Sequence, residues 1–196
     1  MKLGSTRQAI HDALSWGFLQ KESGLTDFLT YLTQIEKSKR PNNAAVDLVE
    51  AAYVCAAIDS LKPHLGGWLK FAYGPEDLSL TQTILATKLR SDLFPISSVK
   101  KHLKMLSLSS VSLEDYRLRL RRYRDMPDIV YCERIGIAQP HFYRDGWGDR
   151  RKQCLDTLKN WDKDGVGQVS RVVKALRGES EDETASEILQ DIANGK

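Results

Sequence analysis

The sequence predicts an all-α protein assembled from many helices. Apolar residues recur at spacings of three and four along almost the whole chain, whereas the strict alternation typical of strands is scarce. Leu, Ala, Lys, Arg, Glu and Asp dominate the composition, as expected for a helical protein. With 196 residues, the chain is long enough to bury one substantial core or two small ones.

The N-terminal part of the chain contains three predicted helices. Ser5 or Thr6 caps the first helix and Thr26 caps the second, and we expect these two helices to pair. Their inward residues are Ile10, Ala13, Leu14 and Phe18 in the first helix, and Phe28, Leu29, Leu32 and Ile35 in the second. A charged linker over residues 37–43 leads to a third helix, which begins at Ala44 and ends before Pro63.

In the middle of the chain, the spacing of apolar residues predicts shorter helices separated by Gly, Pro and Ser. Their apolar residues are Leu65, Trp68, Leu69 and Tyr73, then Ile84, Leu85 and Leu89, then Val99, Leu103 and Leu106. Ser112 begins a further helix, because Ser-Leu-Glu-Asp over residues 112–115 is similar to a capping box. That helix continues into an arginine-rich stretch that ends at Arg124.

Residues 128–160 predict a helix, a glycine-centred turn and a second, basic helix. Ile129, Cys132 and Ile135 share one helical face, and Gly136 is able to adopt the positive φ of a tight turn. Ile137 fills the angle between the helices, and Phe142 anchors the second helix inward. This pattern is typical of a helix-turn-helix that binds DNA.

The start of the second helix carries side chains suited to reading bases and contacting phosphates. The candidate DNA-binding residues are Gln139, His141, Tyr143, Arg144, Arg150, Arg151 and Lys152. After this helix we expect a turn from Trp161 to Gly167 and a short basic-faced helix containing Val169 and Val172. A capped amphipathic helix in the tail from Ser180 carries Ile188, Leu189 and Ile192.

Charge is unevenly spread along the chain. Residues 117–152 carry ten Arg or Lys against five Asp or Glu, whereas residues 179–196 carry one Lys against six acids. Five arginines precede the predicted helix-turn-helix, namely Arg117, Arg119, Arg121, Arg122 and Arg124. They fit two alternatives: contact with phosphate, or intramolecular pairing with neighbouring carboxylates on a solvated helix.

Several classes of protein find little support in the sequence. No apolar run is long enough to span a bilayer, the N-terminus lacks the core of a signal peptide, and a soluble, cytoplasmic protein is expected. Cys55, Cys132 and Cys154 form no CxxC pair, so neither a metal nor a cofactor is predicted. The best enzymatic alternative is a metal-dependent nuclease that uses His141, Asp145 and Asp149 at i, i+4, i+8 spacing on one helix.

The segment AIDSLKPHLGGWLKFAYG, residues 57–74, resembles the opening of sigma-factor region four. The likeness covers Ile58, Leu61, Pro63, Leu65, Leu69, Tyr73 and Gly74, and resumes at Ile129, Cys132, Gly136 and Ile137. Between the two halves lies an insertion, residues 75–126, that an ordinary sigma domain lacks. In size and helical content the chain resembles the phage late-gene antitermination protein Q family. Some members of this broad group carry a zinc ribbon, and the chain lacks the cysteine pairs for one.

This resemblance implies a function and a domain organisation. A protein of that family binds DNA at a phage late promoter, loads onto paused host RNA polymerase and its sigma factor, and allows readthrough of terminators. The implied domains are an N-terminal helical pair (1–40), a sigma-like body (44–160) with inserted helices (75–126), and C-terminal helices with an acidic tail (161–196). Such a protein acts in the cytoplasm of the bacterial host, where the five arginines of residues 117–124 would contact phosphate or the polymerase.

Two other binding functions remain open at this point. A dimeric helix-turn-helix repressor or activator would use the same reading helix at a palindromic site. An adaptor that binds polymerase or another protein without DNA would use its acidic tail and its four tryptophans, which are Trp16, Trp68, Trp147 and Trp161.

Overall fold

The structure is a computed structural model that describes residues 5–22, 43–74, 79–94, 99–122, 124–179 and 184–195. Within these ranges it contains nine α-helices and no strand, so the predicted all-α fold is confirmed. The helices are α1 (Thr6–Glu22), α2 (Asn43–Ser60), α3 (Pro63–Tyr73), α4 (Ser79–Leu93), α5 (Val99–Arg122), α6 (Asp128–Ile135), α7 (Gln139–Arg144), α8 (Trp147–Leu176) and α9 (Ala185–Ala193). The predicted helix that begins at Thr26 lies outside the described residues.

The chain divides into two compact units. Unit 1 consists of Met1–Glu76 and Asp164–Lys196, and unit 2 consists of Asp77–Lys163. The boundaries of these units differ from those of the three segments predicted from the sequence. The three-segment organisation stays a prediction.

In unit 1, α1 packs against α2 and α3, and the tail helix α9 packs against α2. The Ser5 hydroxyl accepts a hydrogen bond from the Gln8 N–H at 3.3 Å, which caps α1 as predicted. Thr184 and Glu187 form a complete capping box at the start of α9. Because Ile188 and Ile192 are buried, the tail helix is docked on its own unit.

Helices α2 and α3 approach each other closely at Gly66. A Cβ atom at this position would lie 2.5 Å from the carbonyl oxygen of Ile58, so no side chain fits there. Pro63 occupies the first turn of α3, where its missing N–H leaves no hydrogen bond unmade. Trp68 and Leu69 then lie fully buried in the core of this unit.

In unit 2, α4 and α6 both pack against α5, and α7 packs against α6. Leu85 and Leu89 of α4 are buried as predicted, together with Leu108 and Leu113 of α5. The side-chain amide of Gln82 donates to the Ser110 hydroxyl at 3.0 Å and to Glu114 at 2.8 Å, which links α4 to α5. Two other predicted core residues, Ile84 and Leu103, are instead exposed.

Two predicted breaks are wrong, because the helices run straight through them. Helix α5 is continuous for 24 residues past the serines that suggested a joint. Ser112 does not cap a new helix, since its hydroxyl donates to the Leu108 carbonyl one turn earlier at 2.8 Å. Helix α8 likewise continues through Trp161–Gly167. Gly165 lies against Leu69, and a Cβ atom at position 165 would force the Leu69 side chain to shift.

A third correction concerns the basic helix expected from Gln139 to Asn160. It is two helices, α7 of six residues and α8 of thirty residues. Gly146, with φ +70°, turns the chain between them. The guanidinium of Arg150 donates to the Asp145 carbonyl at 2.7 Å, which satisfies one acceptor left at the end of α7.

Candidate nucleic-acid interface

The link between α6 and α7 is a tight turn centred on Gly136, as the sequence predicts. Gly136 lies in the left-handed region, with φ 67° and ψ 42°. Its N–H donates to the Glu133 carbonyl at 3.2 Å, and the Ile137 N–H donates to the Cys132 carbonyl at 3.0 Å. This pair of bonds is the Schellman motif, which closes the C-terminal end of α6 and fixes the direction in which the chain leaves it.

Buried side chains hold α7 against α6. Ile137 and Phe142 are buried as predicted, and the Phe142 ring lies 6.0 Å from the ring of Tyr131. The predicted inward face of α6 is partly wrong, because Ile129 is 56% exposed and Tyr131 is buried in its place. The buried face of α6 consists of Tyr131, Cys132 and Ile135, in which Ile135 follows the other two by four and three residues, as helix geometry requires. Ile129 lies outside this face.

Helix α7 exposes four of the predicted DNA-binding residues, namely Gln139, His141, Tyr143 and Arg144. The Tyr143 hydroxyl donates to Oδ2 of Asp128 at 2.6 Å. Nε of Arg144 donates to Oδ1 of Asp145 at 2.9 Å, and its guanidinium also contacts Nδ1 of His141. His141, Tyr143 and Arg144 therefore have partners that orient them in the free protein.

The same contacts shift the pKa values of the groups on α7. The hydrogen bond from Tyr143 lowers the pKa of Asp128, and that bond correspondingly raises the pKa of Tyr143. The hydrogen bond from Arg144 lowers the pKa of Asp145. Both carboxyl groups are therefore ionised at neutral pH and hold their partners by charge-assisted hydrogen bonds.

The three consecutive cations at the start of α8 differ in environment. Arg150 lies 5.1 Å above the Trp147 ring, and Lys152 is exposed. Arg151 is buried, with its guanidinium 4.3 Å above the Tyr131 ring. This placement contradicts a DNA contact for Arg151, which we therefore leave out of the candidate interface.

Arg151 instead connects four parts of unit 2. Its Nη2 donates to Oδ2 of Asp115 at 2.8 Å and to the Met126 carbonyl at 2.8 Å, and its Nη1 donates to Oδ1 of Asp128. The fully buried Asp115 also accepts the Met126 N–H at 2.9 Å. The sequence does not reveal this network, because the motif at Ser112–Asp115 resembles a helix cap and the partner Arg151 lies 36 residues away.

The five arginines near the end of α5 fall into two groups. Arg119 pairs with Asp115 and Asp125, each at 3.3 Å, which matches the intramolecular alternative, and Arg117 and Arg121 also have interactions within the chain. Burial and the neighbouring Arg117 lower the pKa of Arg121. Arg122 and Arg124 are exposed and form no ion pair with any part of the chain that the structure describes. These two guanidiniums are the ones available to an external anion.

A polar cluster lies beneath the α6–α7 turn in the core of unit 2. The hydroxyl of Tyr131 contacts that of Ser112 and donates to the Leu108 carbonyl at 3.3 Å. Burial raises the pKa of Tyr131, and it raises the pKa of the neighbouring Cys154 thiol to about 11. Cys154 is thus a neutral, fully buried core residue.

The residues of the nuclease alternative do not share one helix. His141 lies on α7 and Asp149 on α8, with Asp145 in the turn between them, so the predicted i, i+4, i+8 face is wrong. Nδ1 of His141 lies 3.4 Å from Oδ2 of Asp145. In the described residues, no group of three His, Cys, Asp or Glu side chains is arranged to hold a metal ion.

The tryptophans differ in accessibility. Trp68 is fully buried and Trp161 is 7% exposed, whereas Trp147 is half-buried. The side chain of Trp16 lies outside the described residues. In the described part of the chain, no helix is both long and apolar enough to cross a membrane.

No protein-family model, curated protein or solved structure matches this chain. The resemblance to the antitermination protein Q family accordingly rests on the motifs quoted above.

Proposed function

We propose that this protein binds double-stranded DNA through α7 and the first turns of α8, and that it acts as a phage transcription antitermination factor. The proposed DNA-contacting residues are Gln139, His141, Tyr143, Arg144, Arg150 and Lys152, with phosphate contacts from Arg122 and Arg124. The proposed partners are DNA at a late promoter and the bacterial RNA polymerase with its sigma factor.

One observation carries the DNA-binding proposal. Phe142 anchors α7 from one side, and the polar and aromatic residues Gln139, Tyr143 and Arg144 are exposed on the other. A helix held by a tight glycine turn and exposing such side chains is suited to the major groove, where amide, phenol and guanidinium groups read base edges.

The charge of unit 2 supports the same proposal. Arg122, Arg124 and Lys152 are exposed without an ion pair to any described residue. Exposed cations attract the phosphate backbone and release counterions when they bind it. Arg150 makes a further candidate, since its guanidinium is held over Trp147 at the first turn of α8.

The antitermination role comes from the resemblance of residues 57–74 and 129–137 to sigma region four. A protein that binds promoter DNA with a sigma-like unit would lie next to the polymerase at that promoter. The insertion, residues 75–126, contains the arginine-rich end of α5 and would extend that unit towards the polymerase or towards nucleic acid.

The experiment that tests the proposal has two stages. The full-length protein is first used to select binding sites from random duplex DNA, and the selected site is then placed downstream of a phage late promoter. Transcription by purified bacterial RNA polymerase through a downstream terminator is measured with and without the protein. We expect readthrough with wild-type protein, none with Arg144→Ala, and unchanged readthrough with the control Lys174→Ala, an exposed lysine of unit 1.

The outcomes separate the possible functions. Site selection without readthrough, but with altered initiation, would favour the dimeric repressor or activator. Readthrough that does not depend on the DNA site would favour an adaptor that binds polymerase alone. Failure to select any DNA sequence would overturn the DNA-binding proposal itself.

A further inference from the structure

Asp128 joins the buried core of unit 2 to the exposed face of α7. It is the first residue of α6, and its two carboxylate oxygens have different partners. Oδ1 accepts from the guanidinium of Arg151, and Oδ2 accepts from the Tyr143 hydroxyl at 2.6 Å. One carboxylate therefore links the buried Arg151 to Tyr143, which faces solvent.

Arg151 is a rigid anchor for this link. Its guanidinium donates to Asp115 at 2.8 Å and to the Met126 carbonyl at 2.8 Å, and it lies 4.3 Å from the Tyr131 ring. A planar guanidinium held at several points fixes the position of every carboxylate that binds it. The orientation of Asp128 is thus set by the core.

The direction of the hydrogen bond determines what Tyr143 offers to a ligand. An ionised carboxylate only accepts, so the phenol O–H of Tyr143 must donate to Asp128. The phenol oxygen then has only its two acceptor lone pairs left. The Gln139 side chain hydrogen-bonds to this oxygen and opposes the rise in its pKa, so one lone pair remains for a base edge. In the major groove, the groups that donate to an acceptor are the exocyclic amino groups of adenine and cytosine.

We propose that Asp128 is a positioning residue that makes Tyr143 a hydrogen-bond acceptor, so that α7 selects a base with an amino group in the major groove. The inference rests on the proposed DNA binding and names the chemistry that this site recognises. Gln139 lies one helical turn before Tyr143, and an amide is the side chain that pairs with adenine N6 and N7.

Two variants test the assignment in different ways. Tyr143→Phe removes the phenol oxygen and leaves the Asp128 pair with Arg151 intact. Asp128→Asn keeps the shape, but its single carbonyl oxygen is drawn to Arg151, so its amide N–H₂ faces the phenol. Tyr143 then accepts from Asn and becomes a donor, which suits the acceptor atoms of the major groove, namely O6 and N7 of guanine, O4 of thymine and N7 of adenine. Asp156→Asn, an exposed acid on α8, serves as the control.

The main measurement is site selection from random duplex DNA with the full-length protein. We expect wild-type protein and Asp156→Asn to prefer adenine or cytosine at one position by about three- to tenfold, the worth of one hydrogen bond. Tyr143→Phe should lose this preference, and Asp128→Asn should no longer depend on the amino group and should favour a base that presents an acceptor, such as guanine or thymine. Duplexes in which the selected base is replaced by an analogue without its amino group should bind wild-type protein as weakly as a mismatched base.

A second measurement is independent of DNA. The ionisation of Tyr143 is followed by ultraviolet absorbance as the pH is raised, with Tyr143→Phe used to identify its contribution. Because Asp128 raises the pKa of Tyr143, Asp128→Asn should lower that pKa. Thermal unfolding of each variant shows whether the fold is kept.

The failure of this inference is distinguishable from failure of the proposed function. If wild-type protein selects a sequence and both variants retain the same base preference, the role of Asp128 is overturned and DNA binding stands. An unchanged Tyr143 pKa in Asp128→Asn would also overturn it. If wild-type protein selects no sequence, both proposals are overturned.

Discussion

Arg151 and Asp115 form a buried ion pair in unit 2, with Nη2 of the arginine 2.8 Å from Oδ2 of the aspartate. The Asp115 side chain is fully buried and that of Arg151 is 10% exposed. Removing one member of a buried ion pair costs about 3–5 kcal/mol. Without Arg151, the buried Asp115 would keep only the longer contact with Arg119 at 3.3 Å and the hydrogen bond from the Met126 N–H. The pair therefore stabilises the packing of α5, the segment at Met126 and α8 against one another.

The first prediction concerns this pair. Arg151→Met keeps most of the volume and removes the charge, so it should lower the free energy of unfolding by about 3–5 kcal/mol. Lys152→Met changes an exposed neighbour and should alter it by less than about 0.5 kcal/mol. Urea unfolding followed by circular dichroism measures both. Equal effects of the two substitutions would show that the buried pair is not needed for stability.

The second prediction compares two glycines inside helices. Gly66→Ala should destabilise unit 1 by about 1–3 kcal/mol, because its Cβ would lie 2.5 Å from the Ile58 carbonyl oxygen. Gly167→Ala on α8 has open space around its Cβ and should stabilise the protein by about 0.5–1 kcal/mol through helix propensity. Thermal unfolding of the two variants should therefore move the midpoint in opposite directions. A shift in the same direction would contradict the close approach of α2 and α3.

The third prediction concerns the pH dependence of stability. Burial raises the pKa of Cys154 from 9.0 to about 11, so the folded protein keeps a proton that the unfolded chain loses between these values. The folded state then binds more protons, and the free energy of unfolding falls as pH rises through this window, by about 3 kcal/mol in total. Below pH 9 this contribution is fully present.

Cys154→Ala tests this prediction, because it removes the titrating thiol. Its unfolding free energy should depend less steeply on pH above 9 than that of the wild-type protein. Comparison of the two slopes removes the contribution of Tyr131, whose pKa is also raised. Parallel slopes would mean that Cys154 titrates normally in the folded state.

The sequence predicted the helical fold and several helix ends, because these depend on local pattern. Pro63 and Gly136 fix their helix ends through backbone conformation alone, and both lie where the sequence placed them. The serines of α5 and the glycines of α8 suggested breaks, because the sequence does not show that Ser112 bonds to its own helix or that Gly165 packs on Leu69. These contacts exist only in the folded molecule.

The candidate site shows the same limit. Arg150, Arg151 and Lys152 are adjacent cations, and composition does not distinguish them. Arg151 lies in the core because its guanidinium meets Asp115, 36 residues earlier, together with Asp128 and the Met126 carbonyl. Likewise, Tyr131 replaces Ile129 on the buried face of α6, since the phase of a short helix is set by the helix on which it packs.

The fourth prediction concerns the salt dependence of DNA binding. Each phosphate contact contributes about 0.9 to the slope of log K against log salt concentration. Arg122 and Arg124 are exposed without ion pairs to described residues, so replacing both with Ala should lower the magnitude of the slope by about two units. Arg119→Ala should change the slope little, because Arg119 already pairs with Asp115 and Asp125. If Arg119→Ala changes the salt slope more than the double substitution of Arg122 and Arg124 does, the phosphate contact would belong to Arg119 instead.

The fifth prediction concerns Arg144, whose side chain is 68% exposed on α7. Asp145 holds its Nε at 2.9 Å, so the fork of the guanidinium is oriented before any DNA binds. A bidentate bond to guanine O6 and N7 would then be specific, and Arg144→Ala should weaken binding to the selected site by about 10- to 100-fold. Random duplex should lose only a few-fold, since there Arg144 would act as one cation among several. Arg144→Lys should not restore specific binding, because lysine lacks the planar fork.

Competition binding of the selected and random duplexes measures these effects, with the exposed Lys159→Ala of α8 as the control for a lost positive charge. Asp145→Asn provides a second check, because it keeps Arg144 but removes the charge that orients it. This variant should lose specific binding in part, with little change in binding to random duplex. If Arg144→Ala weakens both duplexes equally, Arg144 contacts phosphate, and base reading on α7 would be left to Gln139 and Tyr143.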